Sequence, residues 1–201
     1  MKGALQWSAW SAMAFMAAGV VGYAAWMLFL PHLRLDFVDG LFTATPLSTT
    51  VHIATGTVTL AAGTLQVNAW IRTRWPVLHR VLGRVYVGAV LLSSVSGLAM
   101  AIQSPSGLVA QTGFGAMAVL WFACTAVAYR HIRTGDRSAH RDWMIRSYAL
   151  TLAAVTLRIY LPASLAVGLP FAEAYPVIAW LCWLPNLLLA EWFIRRRLSA
   201  R

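Results

Sequence analysis

The sequence predicts an all-α fold, an integral membrane bundle of about six transmembrane helices formed by one domain of 201 residues. Three observations lead to this prediction. Only 11% of the residues are charged, whereas soluble domains carry about 25%. Hydrophobic residues make up 60% of the chain, and its mean hydropathy is +0.67. Finally, the apolar residues fall into runs near the roughly 20 residues that a helix needs to cross a bilayer.

Each apolar run is expected to be helical, because a spanning segment must satisfy its own backbone hydrogen bonds. The six runs are residues 9–30, 50–71, 83–103, 107–130, 142–163 and 173–195. The first is too long for the apolar part of a signal peptide, so it is predicted to be a retained anchor. The short turn 104–106 makes the third and fourth runs antiparallel neighbours. Pro162 is expected to end the fifth run.

The basic residues predict the orientation of the bundle. If the N-terminus is inside, all 16 lysines and arginines except Arg34 and Arg158 fall at inner helix ends. By the positive-inside rule, both termini are then cytoplasmic, and the chain is expected to be a multi-pass protein of the bacterial inner membrane. The inner arginines should meet anionic lipid headgroups. No nucleic-acid partner is expected, because the charges lie between apolar runs.

Two similar motifs follow the second and fourth runs. The first reads HRVLGRVY at 79–86, and the second reads HRDWMIRSY at 140–148. Each has His-Arg, then an arginine and a tyrosine at matching positions, which indicates a parallel repeat of helix hairpins 2–3 and 4–5. The alternative is that inner loops are simply rich in arginine, since short matches also arise by chance.

Three blocks together resemble a family of uncharacterised bacterial polytopic membrane proteins, a domain of unknown function. The blocks are HIATGTVTLAAGTLQ at 52–66, LHRVLGRVYVG at 78–88 and HRDWMIRSYALTLAAVTLRIYLP at 140–162. They contain the patterns H-R-x-x-G-R-x-Y and H-R-x-W-M-x-R-S in order. The resemblance implies the membrane location and the helical fold, and it implies no activity.

A polar stripe on the second run predicts an outer ligand pocket. His52, Thr55, Thr59 and Gln66 share one helix face, and polar residues within spans usually face the bundle or a watery cavity. Arg158 lies at the same outer level on the fifth run. A pocket between His52 and Arg158 would suit an anionic or quinone-like headgroup. For the threonines, packing or backbone hydrogen bonding is the alternative.

Arg158 itself has two interpretations. It can extend to the outer headgroups, or it can face the bundle near His52. In the second case the guanidinium needs an acceptor, and the candidates are Asp36, Asp39, Glu173 or an anionic ligand. At the inner side, Arg146 and Glu191 are each about one turn deep and are predicted to pair, with Arg195 as the alternative partner of Glu191.

The inner histidines His79 and His140 enter different helices at a similar depth. Two such histidines can be the axial ligands of a b-type haem. Guanidinium groups hold carboxylates, so nearby arginines could bind the haem propionates; these are Arg80, Arg84, Arg141 and Arg146. Asp136 and Asp142 are candidates to orient the imidazoles. The alternative is that both histidines are interfacial anchors, because they lie near the predicted boundary. A second, outer bis-histidine haem is not expected, since the repeat places Gly113 opposite His52.

Three function classes follow from these sites. The best supported is a redox-type membrane subunit that binds b-type haem or quinone. The second is a lipid or small-solute binding or transport protein that uses the outer pocket. The third is a non-catalytic accessory subunit of a larger membrane complex, with a membrane-protein partner. No metal-protease, hydrolase or P-loop motif is present in the sequence, and no catalytic residue is assigned.

Overall fold

The computed structural model describes residues 2–199, with side chains from residue 7 onward, and this part of the chain is helical without a strand. One 3-10 turn, Pro31–Leu33, follows the first helix. The α-helices are α1 (Lys2–Phe29), α2 (Asp36–Ala44), α3 (Pro46–Gln66), α4 (Ala69–Arg74), α5 (Pro76–Ile102), α6 (Gly107–Arg133), α7 (Arg137–Thr151), α8 (Ala153–Ala166), α9 (Phe171–Leu181) and α10 (Leu184–Ser199).

Five helical segments in the described range are long and apolar enough to cross a membrane. They are Trp7–Phe29, Pro76–Ile102, Gly107–Arg133, Arg137–Ala166 and Phe171–Ser199. The last two each join two helices, α7 with α8 and α9 with α10. The predicted all-α membrane bundle is therefore confirmed. The placement of both termini in the cytoplasm remains a prediction.

The sixth predicted segment, 50–71, differs from the other five. Its helix α3 ends at Gln66, and the separate short helix α4 follows. At 21 residues α3 is long enough to span, but it is not among the five segments selected by length and apolarity. Its six threonines and His52 lower its hydropathy. They are tolerated because α3 packs between α1 and α5, where Thr49 and Thr59 are fully buried.

The helices α3, α5, α6 and α7 form a closed ring in which each contacts the next. Outside the ring, α1 packs on α3 and α8, while α9 packs on α6 and α8, and α10 on α7. One end of the bundle, here called the arginine-rich end, holds the N-termini of α5 and α7 and the C-termini of α3, α6 and α10. The other end is called the His52 end. A bond from Trp10 Nε1 to the Thr64 carbonyl, 3.0 Å, ties α1 into the same packing.

A buried hydroxyl network holds the ring together halfway along its length. The Tyr86 hydroxyl lies 2.8 Å from both Ser147 Oγ and Thr151 Oγ1. Ser147 also contacts Thr125 at 2.7 Å, and Trp121 Nε1 donates to Thr151 at 3.1 Å. The network links α5, α6 and α7. Such bonds between helices contribute about 0.6 kcal/mol each in membranes, so the cluster stabilises the ring mainly by fixing its geometry.

The two matching motifs of the sequence meet inside the bundle. Their tyrosines, Tyr86 and Tyr148, both pack against Gly63 of α3. A Cβ at Gly63 would lie 2.6 Å from Tyr148 Cε2 and 2.8 Å from Tyr86 Cε2. Tyr148 also bonds Thr64 at 2.9 Å. The tyrosines of the two motifs therefore meet at one glycine of α3. The parallel repeat of hairpins 2–3 and 4–5 remains a prediction.

Pro162 does not end its helix, so that expectation is wrong. α8 continues through Pro162 to Ala166. Proline has no N–H and cannot donate to the carbonyl four residues earlier, which belongs to Arg158. Membrane helices tolerate such a break where neighbouring groups or water satisfy the freed carbonyl. The backbone near Arg158 therefore carries an acceptor without its usual helical partner.

Candidate functional site

The His52 end places a fixed histidine between α3 and α5. His52 Nδ1 lies 2.8 Å from the Ser93 carbonyl oxygen. Because a carbonyl only accepts, Nδ1 carries the hydrogen, and Nε2 of the neutral ring keeps a free lone pair. The ring packs on Gly97, where a Cβ would lie 2.9 Å from two ring atoms. The imidazole is therefore held in one orientation with an available acceptor nitrogen.

Arg158 of α8 turns into the bundle near this histidine. Its Nη1 donates to the Ala154 carbonyl at 2.9 Å, and its guanidinium lies 5.3 Å from the ring centre of Tyr23. His52 and Tyr175 are its electrostatic neighbours. The Nε atom is buried and has no hydrogen-bond partner. This position agrees with the expectation that Arg158 faces the bundle rather than lipid.

The carboxylates proposed from the sequence as partners of Arg158 do not bind it. Within the described residues, none of the ion pairs includes Arg158. Asp39 lies 3.7 Å from Arg34 instead. Arg34 also donates to the Met27 carbonyl at 2.7 Å and stacks on Phe42. Arg158 is thus a buried cation whose protein partners are a carbonyl and aromatic rings.

A cavity of about 180 Å³ lies at the same end, between α2 and the end of α5. Its lining is mostly apolar and includes Phe37, Gly40, Leu41, Met100, Gln103 and Pro105. Met100 is one helical turn beyond Gly97, on which His52 packs. Phe37 contacts Tyr175 at 5.1 Å between ring centres. The cavity therefore lies at the His52 end, although neither His52 nor Arg158 is among its lining residues.

The remaining residues of the predicted polar stripe lie in different surroundings along α3 and do not form one site. Thr55 Oγ1 donates to the Val51 carbonyl at 2.6 Å, a bond within its own helix. Thr59 Oγ1 is buried without a partner, deeper in the bundle. Gln66 lies about 21 Å from His52 along the helix axis and donates to the His79 carbonyl at 2.8 Å. Gln66 therefore belongs to the arginine-rich end.

Sequence reasoning missed three residues at the His52 end. Ser93 fixes the imidazole, and Tyr23 and Tyr175 surround Arg158. The sequence signal that could have identified the two tyrosines was their depth in the membrane, because both lie toward the outer ends of their predicted spans. A tyrosine at that level is commonly an interfacial anchor, and a serine within a span commonly bonds its own helix, so neither stood out.

The arginine-rich end brings His79 and His140 into the same neighbourhood. His140 is an electrostatic neighbour of His79, as is Arg72. The two histidines come from α5 and α7, which are opposite members of the closed ring. His140 Nδ1 lies 2.8 Å from the Ala128 carbonyl, which leaves its Nε2 free. His79 Nδ1 is buried without a hydrogen-bond partner.

The predicted pair of Arg146 and Glu191 is confirmed. Arg146 donates through Nε to Oε1 and through Nη2 to Oε2, the latter at 3.1 Å. This bidentate geometry is the strong form of a guanidinium–carboxylate contact. Arg146 is consequently engaged and is not free to hold a haem propionate. The other three arginines of the predicted haem site, Arg80, Arg84 and Arg141, are exposed.

The two aspartates expected to orient the histidines have other roles. Asp136 accepts from the Ala139 backbone at 2.9 Å and caps the start of α7. Asp142 lies 3.2 Å from Arg197 of α10. The group that orients His140 is instead the Ala128 carbonyl. The expected aspartate contacts to His79 and His140 are therefore absent from the described hydrogen bonds.

Comparison with known proteins gives one family. A family described as "Predicted membrane protein (DUF2306)" matches residues 49–194, which is well over half of the chain. No curated protein and no solved structure matches the chain. The matched range contains both ends of the bundle, including His52, His79, His140 and Arg158. The chain therefore belongs to this family of predicted membrane proteins of unknown function.

Proposed function

We propose that this protein is a redox-type subunit of the bacterial inner membrane that binds the headgroup of a quinone or quinol between His52 and Arg158. The observation that supports the proposal is the buried Nε of Arg158, which has no acceptor. An unsatisfied buried donor costs about 1–3 kcal/mol, and more when it is charged. A ligand that brings an acceptor oxygen to this atom would therefore be stabilised.

The two side chains complement the two forms of a quinone. A quinone carbonyl oxygen accepts a hydrogen bond, as Arg158 requires. A quinol hydroxyl donates one, and Nε2 of His52 is the available acceptor. The mostly apolar cavity at the same end of the bundle, about 180 Å³, suits a ring rather than a hydrated ion. A simple anion would satisfy Arg158 and leave His52 unused.

A b-type haem at the arginine-rich end is the second candidate for the same function. The residues present fit the iron ligands, because His79 has an orphan buried Nδ1 and His140 has a free Nε2. A bound haem would supply one-electron transfer. His79 and His140 would hold the iron, the Ala128 carbonyl would orient His140, and Arg84 and Arg141 would hold the carboxylates.

The test begins with purified protein and a short-chain quinone. Wild-type protein should bind the soluble quinone with micromolar or better affinity by calorimetry. Replacing Arg158 with Gln removes a charged donor, which is worth about 1.5–3 kcal/mol and should weaken binding roughly ten- to hundredfold. Arg34→Gln is the matched control, because Arg34 lies at the same end but already has Asp39 as partner.

The alternatives predict other outcomes of the same experiment. A lipid or small-solute binding protein would bind a short fatty acid at this pocket and would not distinguish quinone from a chemically inert ring. An accessory subunit would bind neither ligand and would co-purify with a membrane-protein partner in mild detergent. An absorption spectrum of the pure protein tests the haem separately. A Soret band that is lost in both His79→Ala and His140→Ala supports it, whereas a colourless protein excludes it.

A further inference from the structure

The short connection between α3 and α5 concentrates exposed arginine and tryptophan. This region, residues 68–75 with Arg80, is here called the α4 elbow. Trp70 and Trp75 are about half exposed, at 49% and 50%. Arg72, Arg74 and Arg80 are also exposed. Exposed tryptophan next to exposed arginine is the side-chain combination that suits the headgroup layer of a membrane.

The α4 elbow is held in a defined shape before any ligand arrives. The Asn68 side chain accepts from the Trp70 and Ile71 backbone at 2.9 and 3.3 Å, which caps α4. Ile71 is buried and anchors the helix to the bundle. Trp70 and Trp75 pack edge to face, with ring centres 5.3 Å apart. The backbone that carries the charged and aromatic side chains is therefore ordered before a ligand binds.

The positive charge of the α4 elbow is not neutralised within the described chain. The protein has only six acidic residues. Four of them, Asp39, Asp136, Asp142 and Glu191, form the described ion pairs with residues outside the elbow. The other two, Asp36 and Glu173, lie on α2 and α9 toward the opposite end. Clustered arginines without acidic neighbours favour the binding of an anion from outside the chain.

We propose that the α4 elbow is a binding site for the headgroups of anionic phospholipids. Arg72, Arg74 and Arg80 contact the phosphates, and the rings of Trp70 and Trp75 lie at the level of the glycerol. The basis is charge complementarity together with the two exposed indoles. A free phosphate ion would use the arginines alone, whereas a lipid uses both groups. The site is independent of the proposed quinone pocket, which lies at the other end of the bundle.

The experiment compares two triple variants of the full chain that lose the same charge. One is R72Q/R74Q/R80Q in the α4 elbow. The control is R130Q/R133Q/R137Q, whose arginines are exposed at the same end of the bundle. Each protein is placed in mixed phosphatidylglycerol and phosphatidylcholine nanodiscs, and its retained lipids are measured by native mass spectrometry. The single variants R72Q and R74Q keep the test possible if the triple variant folds poorly.

The expected result is a preference for phosphatidylglycerol in the wild type and in the control. Each elbow arginine removed should reduce that preference about fivefold. Equal losses in both triple variants would overturn the proposal, since they would indicate a general effect of charge. An unchanged preference in the elbow variant would also overturn it. So would complete displacement of the lipid by inorganic phosphate, because the site would then be one for a free anion.

Discussion

Two inward arginines at opposite ends of the bundle, Arg146 and Arg158, differ in how the protein meets their charge. At the arginine-rich end, Arg146 is bidentate with Glu191. Arg197 lies 3.2 Å from Asp142 there, although its guanidinium nitrogens make no hydrogen bond. At the His52 end, Arg158 is turned into the protein with no described carboxylate and with its Nε unsatisfied. Arg146 is thus matched by a carboxylate of the protein, whereas Arg158 is not.

This difference separates structural from functional polar groups. A buried charge that has a protein partner holds helices together, and its partner explains why it is there. A buried charge without a partner costs stability in the free protein. A protein keeps such an unpaired charge where binding of a ligand offsets the lost stability, as is common at functional sites. The contrast between Arg146 and Arg158 is the reason why we propose the quinone pocket at the His52 end.

The largest expected effect is on thiol labelling, which reports the orientation of the two ends. A given position is labelled either from one face of the membrane or from the other. In a cysteine-free background, single cysteines at Ser106 and Thr134 should label from opposite faces of the membrane, because α6 separates them. Thr134 should label from the cytoplasm if the arginine-rich end is inside. A membrane-impermeant thiol reagent in sealed vesicles measures this. Labelling of both positions from one side would remove the assignment of ends on which the comparison rests.

Breaking the matched pair should cost the most stability. Glu191→Gln leaves Arg146 without its carboxylate in a site where the two side chains are only 20% and 31% exposed. We expect a loss of about 2–3 kcal/mol in the free energy of unfolding, less than for a fully buried pair. Asp39→Asn is the control, because that carboxylate is 60% exposed and its pair should contribute under about 1 kcal/mol. Equal effects of the two changes would show that burial does not matter here.

Crowding at Gly63 should come next. In Gly63→Ala the new Cβ would overlap the rings of Tyr148 and Tyr86, at 2.6 and 2.8 Å. Overpacking of this kind costs about 1–3 kcal/mol. Gly88→Ala meets nothing within 4 Å and should be neutral or slightly stabilising, because alanine favours helix. Unfolding in mixed detergent measures both. A Gly63 variant as stable as the Gly88 variant would contradict the close packing of Tyr86 and Tyr148 against Gly63.

Much of the fold could be predicted from the sequence because the membrane imposes length and apolarity on each helix. The free-energy cost of placing a polar or charged group in the membrane explains the helical class, the Arg146–Glu191 pair and the inward position of Arg158. What could not be predicted depends on packing between helices. The break after Gln66, the continuation of α8 through Pro162 and the Ser93 contact of His52 are examples. Partners were also missed where a backbone carbonyl replaced an expected acid, as Ala128 does for His140.

The hydroxyl network should give a smaller effect. Tyr86→Phe removes a hydroxyl shared by Ser147 and Thr151, while the ring stays buried. Intramembrane hydrogen bonds reach at most about 1.7 kcal/mol, so we expect a loss of roughly 1 kcal/mol in unfolding free energy. Tyr160→Phe is the control, since that side chain is exposed. A loss above about 3 kcal/mol would mean that the network does more than fix the helices.

A change of similar size but opposite sign is expected at Arg158. Arg158→Leu removes a buried charge that no described carboxylate neutralises, so the free protein should become about 1 kcal/mol more stable. The same variant should lose the ligand. Arg34→Leu, which breaks an existing pair, should instead lower stability slightly.

Thermal unfolding with and without a short-chain quinone tests this most directly. The wild type should be stabilised by the quinone, by about 2.7 kcal/mol at a hundredfold excess over the dissociation constant. Arg158→Leu should melt higher than the wild type without ligand and should not respond to quinone. A variant that melts lower, or one that the quinone stabilises as much as the wild type, would contradict the assignment of Arg158 as an unpaired charge reserved for a ligand.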